Sequence, residues 1–191
     1  MREYIRMVAV LTAIAAVCGL LLAAVKKGTE KRIEEQILVN VQGPALNNVL
    51  ASSTNDIIQD REEITVDQEI KIVFLGKKNG QIWAIAFEMT AMGYKGKIGV
   101  MVGFDLEKDR LTGIGILTHQ ETPGLGARVS EPIFTNNFKD RVISEIFKVK
   151  KDNGTIDAVS GATISSRAVC SAVEQSIVLY SAIKDQVVKK K

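Results

Sequence analysis

The first clear pattern along the chain is an uninterrupted apolar run near its beginning. Residues 7–25, MVAVLTAIAAVCGLLLAAV, contain no charged side chain, and at ~1.5 Å of helical rise per residue they can cross a ~30 Å hydrocarbon core. Two arginines precede the run and two lysines follow it directly. A cleaved signal peptide is the main alternative, but its apolar region is usually only ~7–15 residues long. The pattern therefore favours an uncleaved transmembrane helix in the lipid bilayer, preceded by a short N-terminal segment, residues 1–6.

The middle of the chain changes to the alternation that is typical of β-strands. Residues 26–43 are charged and predict a stalk or linker, in which residues 29–40 are helical, and Pro44 opens a short helix at the start of a domain over residues 44–191. Beyond it, strands are predicted around residues 70–74 and over residues 82–89, 97–104 and 111–118. The turns between them, such as residues 76–80 and 105–110, are too short for a parallel crossover, so we expect antiparallel pairing.

Helical patterns dominate the last third of the sequence. Short helices are predicted over residues 131–138 and 140–147, and the strongest helix of the soluble part over residues 165–184. That helix has apolar residues on one stripe, at Val169, Val173, Ile177, Tyr180 and Ile183. The expected fold class is therefore α+β, a largely antiparallel sheet flanked by helices and preceded by one N-terminal transmembrane helix.

The composition gives no indication of nucleic-acid binding, of a disulfide framework or of a metal site. The net charge over 191 residues is only +3 and aromatic residues make up 5%, so neither a strong basic field nor a base-stacking surface indicates nucleic acid. Of the two cysteines, Cys18 lies in the apolar run and Cys170 in the predicted last helix, so no disulfide framework is expected. With His119 as the single histidine, no protein-built metal site is expected either.

Two glycine-containing segments are polar enough to suggest a functional role beyond that of a loop between strands. HQETPGLGAR, residues 119–128, directly follows a predicted strand, and GYKG, residues 93–96, precedes another. Each is also compatible with an ordinary polar turn. The residues alone leave both interpretations open.

The stretch DAVSGATISSRAV, residues 157–169, places several hydroxyls beside small residues at the start of the last helix. An N-cap at Ser160 or Thr163 is the simplest explanation. Free N–H groups at a helix start also favour a phosphate. A nucleotide-binding P-loop is excluded because no lysine follows Gly161, and a hydrolase elbow lacks its second glycine.

These motifs resemble a known family. Asp157 and the run Ser160-Gly-Ala-Thr163 resemble the flavinylation motif of FMN-binding domains, Asp-x-x-Ser/Thr-Gly-Ala-Thr, and residues 119–126 resemble a second segment, His-x-Glu-Thr-Pro-Gly-Leu-Gly. Both in this order, with a single anchor, are similar to the RnfG family of the Rnf electron transport complex over essentially the whole chain. The related NqrC family, from the sodium-pumping NADH:quinone reductase, shares the motifs but is usually longer.

The resemblance implies a covalent cofactor. Thr163 would carry FMN through a phosphoester, placed there by a separate flavin transferase that uses FAD and releases AMP. The recognition context for that enzyme would be Asp157, Ser160, Gly161 and Ala162. From the geometry of a helix start, Ser165 and Ser166 are expected to hold the phosphate.

The glycine-rich segment is the expected wall of the flavin ring, because glycines allow close backbone approach and a leucine gives apolar contact. Its members are Glu121, Thr122, Gly124, Leu125 and Gly126. Lys95 or Arg128 is expected either to stabilise the anionic flavin or phosphate, or to be a solvated surface charge.

The family implies a subunit that relays electrons between partner subunits of an ion-translocating ferredoxin:NAD oxidoreductase, without turning over a substrate alone. The coupling ion, Na⁺ or H⁺, stays open. The quinone-reductase counterpart and a non-redox tethered scaffold are the alternatives. The family also implies a cytoplasmic membrane protein with its domain on the extracytoplasmic side, whereas the lysines after the anchor favour a cytoplasmic domain, a rule that governs large domains poorly.

Overall fold

The computed structural model describes residues 1–66 and 69–189. The chain divides into two compact units, Met1–Leu38 and Val39–Lys191. The first unit is one helix, α1 (Arg2–Ile37), which continues through much of the predicted stalk. Within the described residues it is the one helix long and apolar enough to cross a membrane, over Arg2–Glu30, in which an 18-residue window has a mean hydropathy of 2.7, and the helix presents its apolar side chains outward.

A π-helical turn, Leu38–Gln42, precedes the short helix α2 (Gly43–Val49). Pro44 stands in the first turn of α2, where its missing N–H costs no hydrogen bond, as predicted. Three apolar side chains of α2 are buried, at Ala45, Leu46 and Val49. The predicted domain start at residue 44 therefore lies inside the second unit, a few residues after its first residue.

Five strands form a single antiparallel sheet in the order in which they occur along the chain. They are β1 (Arg61–Val66), β2 (Glu69–Lys78), β3 (Gln81–Met92), β4 (Lys97–Asp105) and β5 (Arg110–Thr118). The antiparallel pairing expected from the short turns is confirmed. The α+β fold class is confirmed as well.

Two details of the sheet differ from the sequence prediction. Strand β1 was not predicted, because only Ile64 and Val66 of its six residues are buried and the others are mostly charged. Strand β2 also runs through Gly76 to Lys78, so the β2–β3 turn is the pair Asn79-Gly80. Both of these residues have a positive φ, which is the backbone that a tight two-residue hairpin requires.

The long helix α4 (Thr163–Lys189) packs against β3 and β4 and forms the other layer of the core. Its Tyr180 ring stacks on Phe104 of β4 at a centroid distance of 4.4 Å, and Phe104 stacks on Phe87 of β3 at 5.5 Å. The predicted apolar stripe thus faces the sheet. Because α4 is anchored along the sheet in this way, its first turn has a fixed position beside the ends of the strands.

The segments between β5 and α4 are mostly short turns. The prediction over residues 131–138 is confirmed as α3 (Pro132–Thr135) followed by a 3-10 turn, Asn136–Phe138. The helix predicted over residues 140–147 is wrong. Asp140 has a φ of 57°, Val142 forms a β-bridge with Arg110, and the Glu145 carboxylate accepts the Val142 N–H. Tertiary pairing and a side-chain acceptor thus replace the helical hydrogen bonds.

Candidate functional site

Three segments of the second unit meet at an open pocket. They are the β3–β4 connection, the glycine-rich segment after β5, and the turn that leads into α4. The pocket has a volume of about 520 Å³, within the ~300–1,000 Å³ range of small-molecule sites. Its lining residues are Tyr94, Glu121, Thr122, Leu125, Gly126, Lys151, Gly161, Ala162, Thr163, Ile164 and Ser165.

Glu121 joins the three segments. Its side chain is only 5% exposed. Oε2 accepts a 2.6 Å hydrogen bond from the Ser165 hydroxyl of α4, and Oε1 accepts a 3.1 Å bond from the backbone N–H of Lys95. The carboxylate is thus both desolvated and hydrogen-bonded, which is the condition under which a buried charge is tolerated.

The pKa of Glu121 lies below its ordinary value of 4.5. Burial acts to raise the pKa, but the Ser165 hydroxyl, the backbone N–H groups of Lys95 and Tyr94, and the nearby His119 together act more strongly in the other direction. Glu121 is therefore an anion at neutral pH.

Two glycines make room for this carboxylate. A Cβ on Gly126 would lie 2.6 Å from Glu121 Oε2 and 2.9 Å from the Ser165 hydroxyl, and a Cβ on Gly93 would contact Glu121 Oε1. Their role in the structure is steric. Gly124 instead has a φ of 74° with open space around it, so there glycine is favoured by the backbone conformation.

Glycine is also required at the turn before α4. Gly161 has a φ of 77°, a region that L-residues rarely adopt. Ala162 follows, and its carbonyl accepts the first helical hydrogen bond, from the N–H of Ser166 at 3.0 Å. Ala162 therefore occupies the N-cap position, and the prediction that the hydroxyl of Ser160 or Thr163 caps the helix is wrong.

Thr163 is the first residue of α4 and is half-buried. Its side chain lines the pocket. Across the described ranges, residues 1–66 and 69–189, its hydroxyl has no hydrogen-bond partner. A pocket-lining hydroxyl without a partner is open to an incoming group.

The two serines after it are placed differently. Ser165 lines the pocket but its hydroxyl already donates to Glu121. Ser166 is fully buried, donates to the Ala162 carbonyl and accepts the Val159 N–H, both at 3.0 Å. This placement supports roles in fixing the helix start. It gives no support to a phosphate-binding role for Ser166.

The remaining motif residues lie on the surface. Ser160 and Asp157 are exposed. Asp157 forms a 2.6 Å ion pair with Lys150, with both side chains more than 60% exposed. Such an arrangement is accessible to another protein.

The pocket mouth carries apolar side chains that face solvent. Tyr94 is 66% exposed, Leu125 49% and Ile164 48%. Only Leu125 was expected at the pocket. Tyr94 and Ile164 were not predicted, although they lie inside residues 93–96 and 157–169, and their apolar side chains among polar and small residues were the available signal.

The cation beside the pocket was not the one expected. Lys95 contributes its backbone N–H to Glu121, while its side chain is exposed and is not among the lining residues. Arg128 forms a 3.4 Å ion pair with Glu131. The lining cation is Lys151, which was not predicted from the sequence.

The residues that line this pocket lie within a domain that is similar to a known family. Residues 93–178 match the family model of the FMN-binding domain, a range that includes all three segments. The chain is 34% identical over 183 residues to the RnfG protein of an ion-translocating oxidoreductase complex from Haemophilus influenzae, covering 87% of this chain and 84% of that protein. It is 30% identical to the corresponding protein of Shewanella amazonensis, covering 90% and 86%.

The chain belongs to the RnfG family of ion-translocating oxidoreductase complexes. Among solved structures, it resembles the NqrC protein of the Na⁺-translocating NADH-quinone reductase from Parabacteroides distasonis, with a TM-score of 0.51, 25% identity and coverage of 68% of this chain and 67% of that one. The predicted family and its relation to NqrC are thereby confirmed. The match to the FMN-binding domain spans every residue that lines the pocket, and the relatives are named as subunits of an ion-translocating oxidoreductase complex.

The residues present fit FMN. The pocket offers a hydroxyl without a partner at Thr163, an exposed ammonium at Lys151, and apolar surface at Tyr94, Leu125 and Ile164. The hydroxyl and the ammonium suit the phosphate of FMN, and the apolar side chains suit its ring, within one cavity. Because residue 161 is a glycine, it adds no side chain over the backbone that leads into Thr163.

Proposed function

We propose that the chain is an electron-transfer subunit whose FMN is joined through a phosphoester to the hydroxyl of Thr163. The observation that carries the proposal is the position of this hydroxyl, unpartnered and lining the pocket of an FMN-binding domain. Asp157, Ser160, Gly161 and Ala162 then form the surface that a flavin transferase reads. The exposure of Asp157, Ser160 and Gly161 supports that role, since the transferase must bring FAD to Thr163, whereas Ala162 is buried at the helix start.

FMN, when bound, supplies one- and two-electron transfer. The chain's own residues bind and orient it. Leu125, Tyr94 and Ile164 offer apolar contact to a flat ring, while Thr122 and the glycines after it allow close backbone approach. Glu121 acts from behind this wall by holding the segments together, as its burial and hydrogen bonds indicate.

The partners in this proposal are the other subunits of the complex. The relatives are named as subunits of an ion-translocating oxidoreductase complex, and the family resemblance specifies ferredoxin and NAD as the electron carriers and Na⁺ or H⁺ as the ion. The chain has two cysteines, and neither its sequence motifs nor its described structure offers a dinucleotide fold. Within the proposal, the iron–sulfur and nicotinamide chemistry therefore belongs to partner subunits.

Helix α1 is proposed to anchor the chain in the cytoplasmic membrane, with the FMN-binding domain on the extracytoplasmic side. Covalent attachment suits that side, because a flavin lost there would not be replaced from the internal pool. A protease added to intact spheroplasts should remove the domain and leave the anchor. Protection in spheroplasts with cleavage in inverted vesicles would place the domain in the cytoplasm.

A denaturing gel under ultraviolet light tests the flavin proposal. Co-expressed with its flavin transferase, the full chain should give a fluorescent band that is absent in Thr163→Ala and retained in Thr29→Ala, a matched threonine of α1. The tryptic peptide of residues 152–167 should carry the mass of an FMN phosphoester. A dark wild-type band, with an unmodified peptide, would favour the scaffold alternative.

The quinone-reductase counterpart is a second candidate, supported by the structural likeness to an NqrC protein. Gentle purification from native membranes separates the two. Co-purification with iron–sulfur proteins that oxidise ferredoxin supports the first assignment. Recovery with a quinone-reducing complex supports the second.

A further inference from the structure

Three consecutive residues beside the pocket, 150–152, are held by ion pairs on either side of the middle one. Lys150 pairs with Asp157 at 2.6 Å. Asp152 pairs with Arg167 of α4 through two bonds, Nε to Oδ2 at 2.6 Å and an Nη to Oδ1 at 2.7 Å. This bidentate geometry is the more directional kind of arginine–carboxylate contact.

The two ion pairs reach both ends of the motif. Asp157 is its first residue, and Arg167 lies one helical turn beyond Thr163 on α4. The backbone around residue 151 is further fixed by a β-bridge between Val149 and Ile156 and by the turn at Asn153, whose φ is 59°. The Asp152–Arg167 pair therefore ties the segment to α4, while the bridge and the turn fix the backbone of the segment itself.

Lys151 lies between these ion pairs and has none of its own in the described part of the chain. Its side chain lines the pocket together with Thr163. The nearby Lys148 is also exposed but does not line the pocket. The two flanking charged side chains are thus paired, and Lys151 brings to the pocket an ammonium group without an ion pair among the described residues.

We propose that Lys151 binds the flavin phosphate at Thr163, both while the phosphoester forms and afterwards. The proposal rests on the FMN site proposed above. A lysine ammonium is a compact positive charge with three donors, suited to a phosphate whose orientation is set elsewhere. The N–H groups at the start of α4 add positive potential at the same pocket.

The step that Lys151 assists is a phosphoryl transfer from FAD, catalysed by the flavin transferase. The bond between the Thr163 hydroxyl oxygen and the FMN phosphorus forms, and the pyrophosphate bond to AMP breaks. AMP departs with the bonding electron pair, and a base of the transferase takes the hydroxyl proton. Lys151 donates to a non-bridging oxygen of the transferred phosphate, where negative charge is concentrated.

The test is a time course of flavin incorporation. Full chain expressed without the transferase, in detergent, is mixed with purified transferase and FAD, and covalent flavin is read by in-gel fluorescence. We expect the initial rate to fall about five- to tenfold in Lys151→Gln and to change less than twofold in Lys151→Arg. Lys148→Gln removes the same charge nearby and should match the wild type.

Two further readouts separate phosphate binding from a structural role. The wild-type rate should fall with added salt more steeply than the Lys151→Gln rate, because screening weakens an exposed charge contact. In fully loaded protein, the phosphorus NMR shift of the attached flavin should differ between wild type and Lys151→Gln. Thermal unfolding should be the same in both, since the Lys151 side chain is exposed.

A Lys151→Gln chain that is labelled at the wild-type rate with an unchanged phosphorus shift overturns the role of Lys151. So does a Lys148→Gln chain that is slowed equally, because the effect would then be the general field of the charged stretch. If the wild-type chain itself takes up no flavin, the FMN site fails first. That outcome is distinct, since it appears without any substitution.

Discussion

The hydroxyl of Ser165 donates a 2.6 Å hydrogen bond to Oε2 of Glu121, a residue 44 positions earlier in the chain. One partner is in the first turn of α4 and the other in the glycine-rich segment after β5. The second oxygen of the same carboxylate holds the N–H of Lys95 in the β3–β4 connection. A single buried anion thus sets the relative positions of the three segments that line the pocket.

Replacement of Ser165 by alanine should therefore loosen the pocket. It removes a hydrogen bond to a buried charge, and such bonds contribute ~1.5–3 kcal/mol. We expect the free energy of unfolding to fall by about that amount in urea titrations of the flavin-free chain. Ser181→Ala on the exposed side of the same helix is the control and should change it by less than ~0.5 kcal/mol. Equal stability of the two variants would show that the Ser165 bond contributes little.

Acid should weaken the same contact. Because the folded pKa of Glu121 is lowered below 4.5, its contribution to stability is fully present above the unfolded pKa and is lost as the pH falls through the folded pKa. The free energy of unfolding should thus decline below about pH 4.5, and less steeply in Glu121→Gln than in the wild type. His119 acts electrostatically on the Glu121 carboxylate, so its replacement by glutamine belongs in the same series. Parallel pH profiles for wild type and Glu121→Gln would contradict the assignment.

A methyl group at Gly126 should displace the carboxylate. The added Cβ would lie 2.6 Å from Glu121 Oε2 and 2.9 Å from the Ser165 hydroxyl, and overpacking of this kind costs ~1–3 kcal/mol. Gly126→Ala should lower both the unfolding midpoint of the domain and the yield of covalent flavin. Gly28→Ala, whose Cβ would meet nothing within 4 Å, should leave both unchanged. An unaffected flavin yield in Gly126→Ala would show that flavin attachment does not depend on the position of the Glu121 carboxylate.

The sequence was sufficient for features that depend on local pattern. Alternation and short turns predicted strands β2 to β5, and the stripe around Val173 and Tyr180 predicted α4, because period and burial coincide there. Strand β1 was missed because most of its side chains are charged and its pairing with β2 is a tertiary fact. The segment after Asp140 was mistaken for a helix for a similar reason, since its N–H groups pair across the fold.

The candidate site could be predicted only as far as its motifs extend. Glu121 and Leu125 of the glycine-rich segment do line one pocket with Thr163. Because the two segments are about 40 residues apart in the sequence, only the family resemblance indicated that they meet. What each side chain does could not be read from spacing. Glu121 is buried and its carboxylate holds three segments together. The cation that lines the pocket is Lys151 rather than Lys95. Both facts depend on the direction in which the backbone presents each side chain, which spacing along the chain does not determine.

The end of α4 depends on a second long-range hydrogen bond. The Tyr180 hydroxyl donates to Asp109 at 2.6 Å, in the β4–β5 turn where Asp109 has a φ of 49°, and Lys184 pairs with the same oxygen at 2.6 Å. Tyr180→Phe leaves the ring stacked on Phe104 but removes this bond, so we expect a loss of ~1–2 kcal/mol in unfolding free energy. Tyr94→Phe, at an exposed hydroxyl, should cost nothing measurable. A Tyr180→Phe chain as stable as wild type would mean that Lys184 alone holds the turn.

Cys170 provides a probe of whether α4 stays docked. Burial first, and then the charges of Glu174 and Asp152, raise the pKa of its thiol to about 12, and only the thiolate reacts readily with maleimides. In a Cys18→Ser background, Cys170 should therefore remain unlabelled at pH 7 in the folded chain and become fully labelled in urea. Because α4 also carries Thr163, labelling that rises in parallel in Ser165→Ala would show that loosening the pocket undocks the helix. Rapid labelling of the unsubstituted domain under native conditions would contradict the packing of α4 against the sheet, on which the placement of the pocket depends.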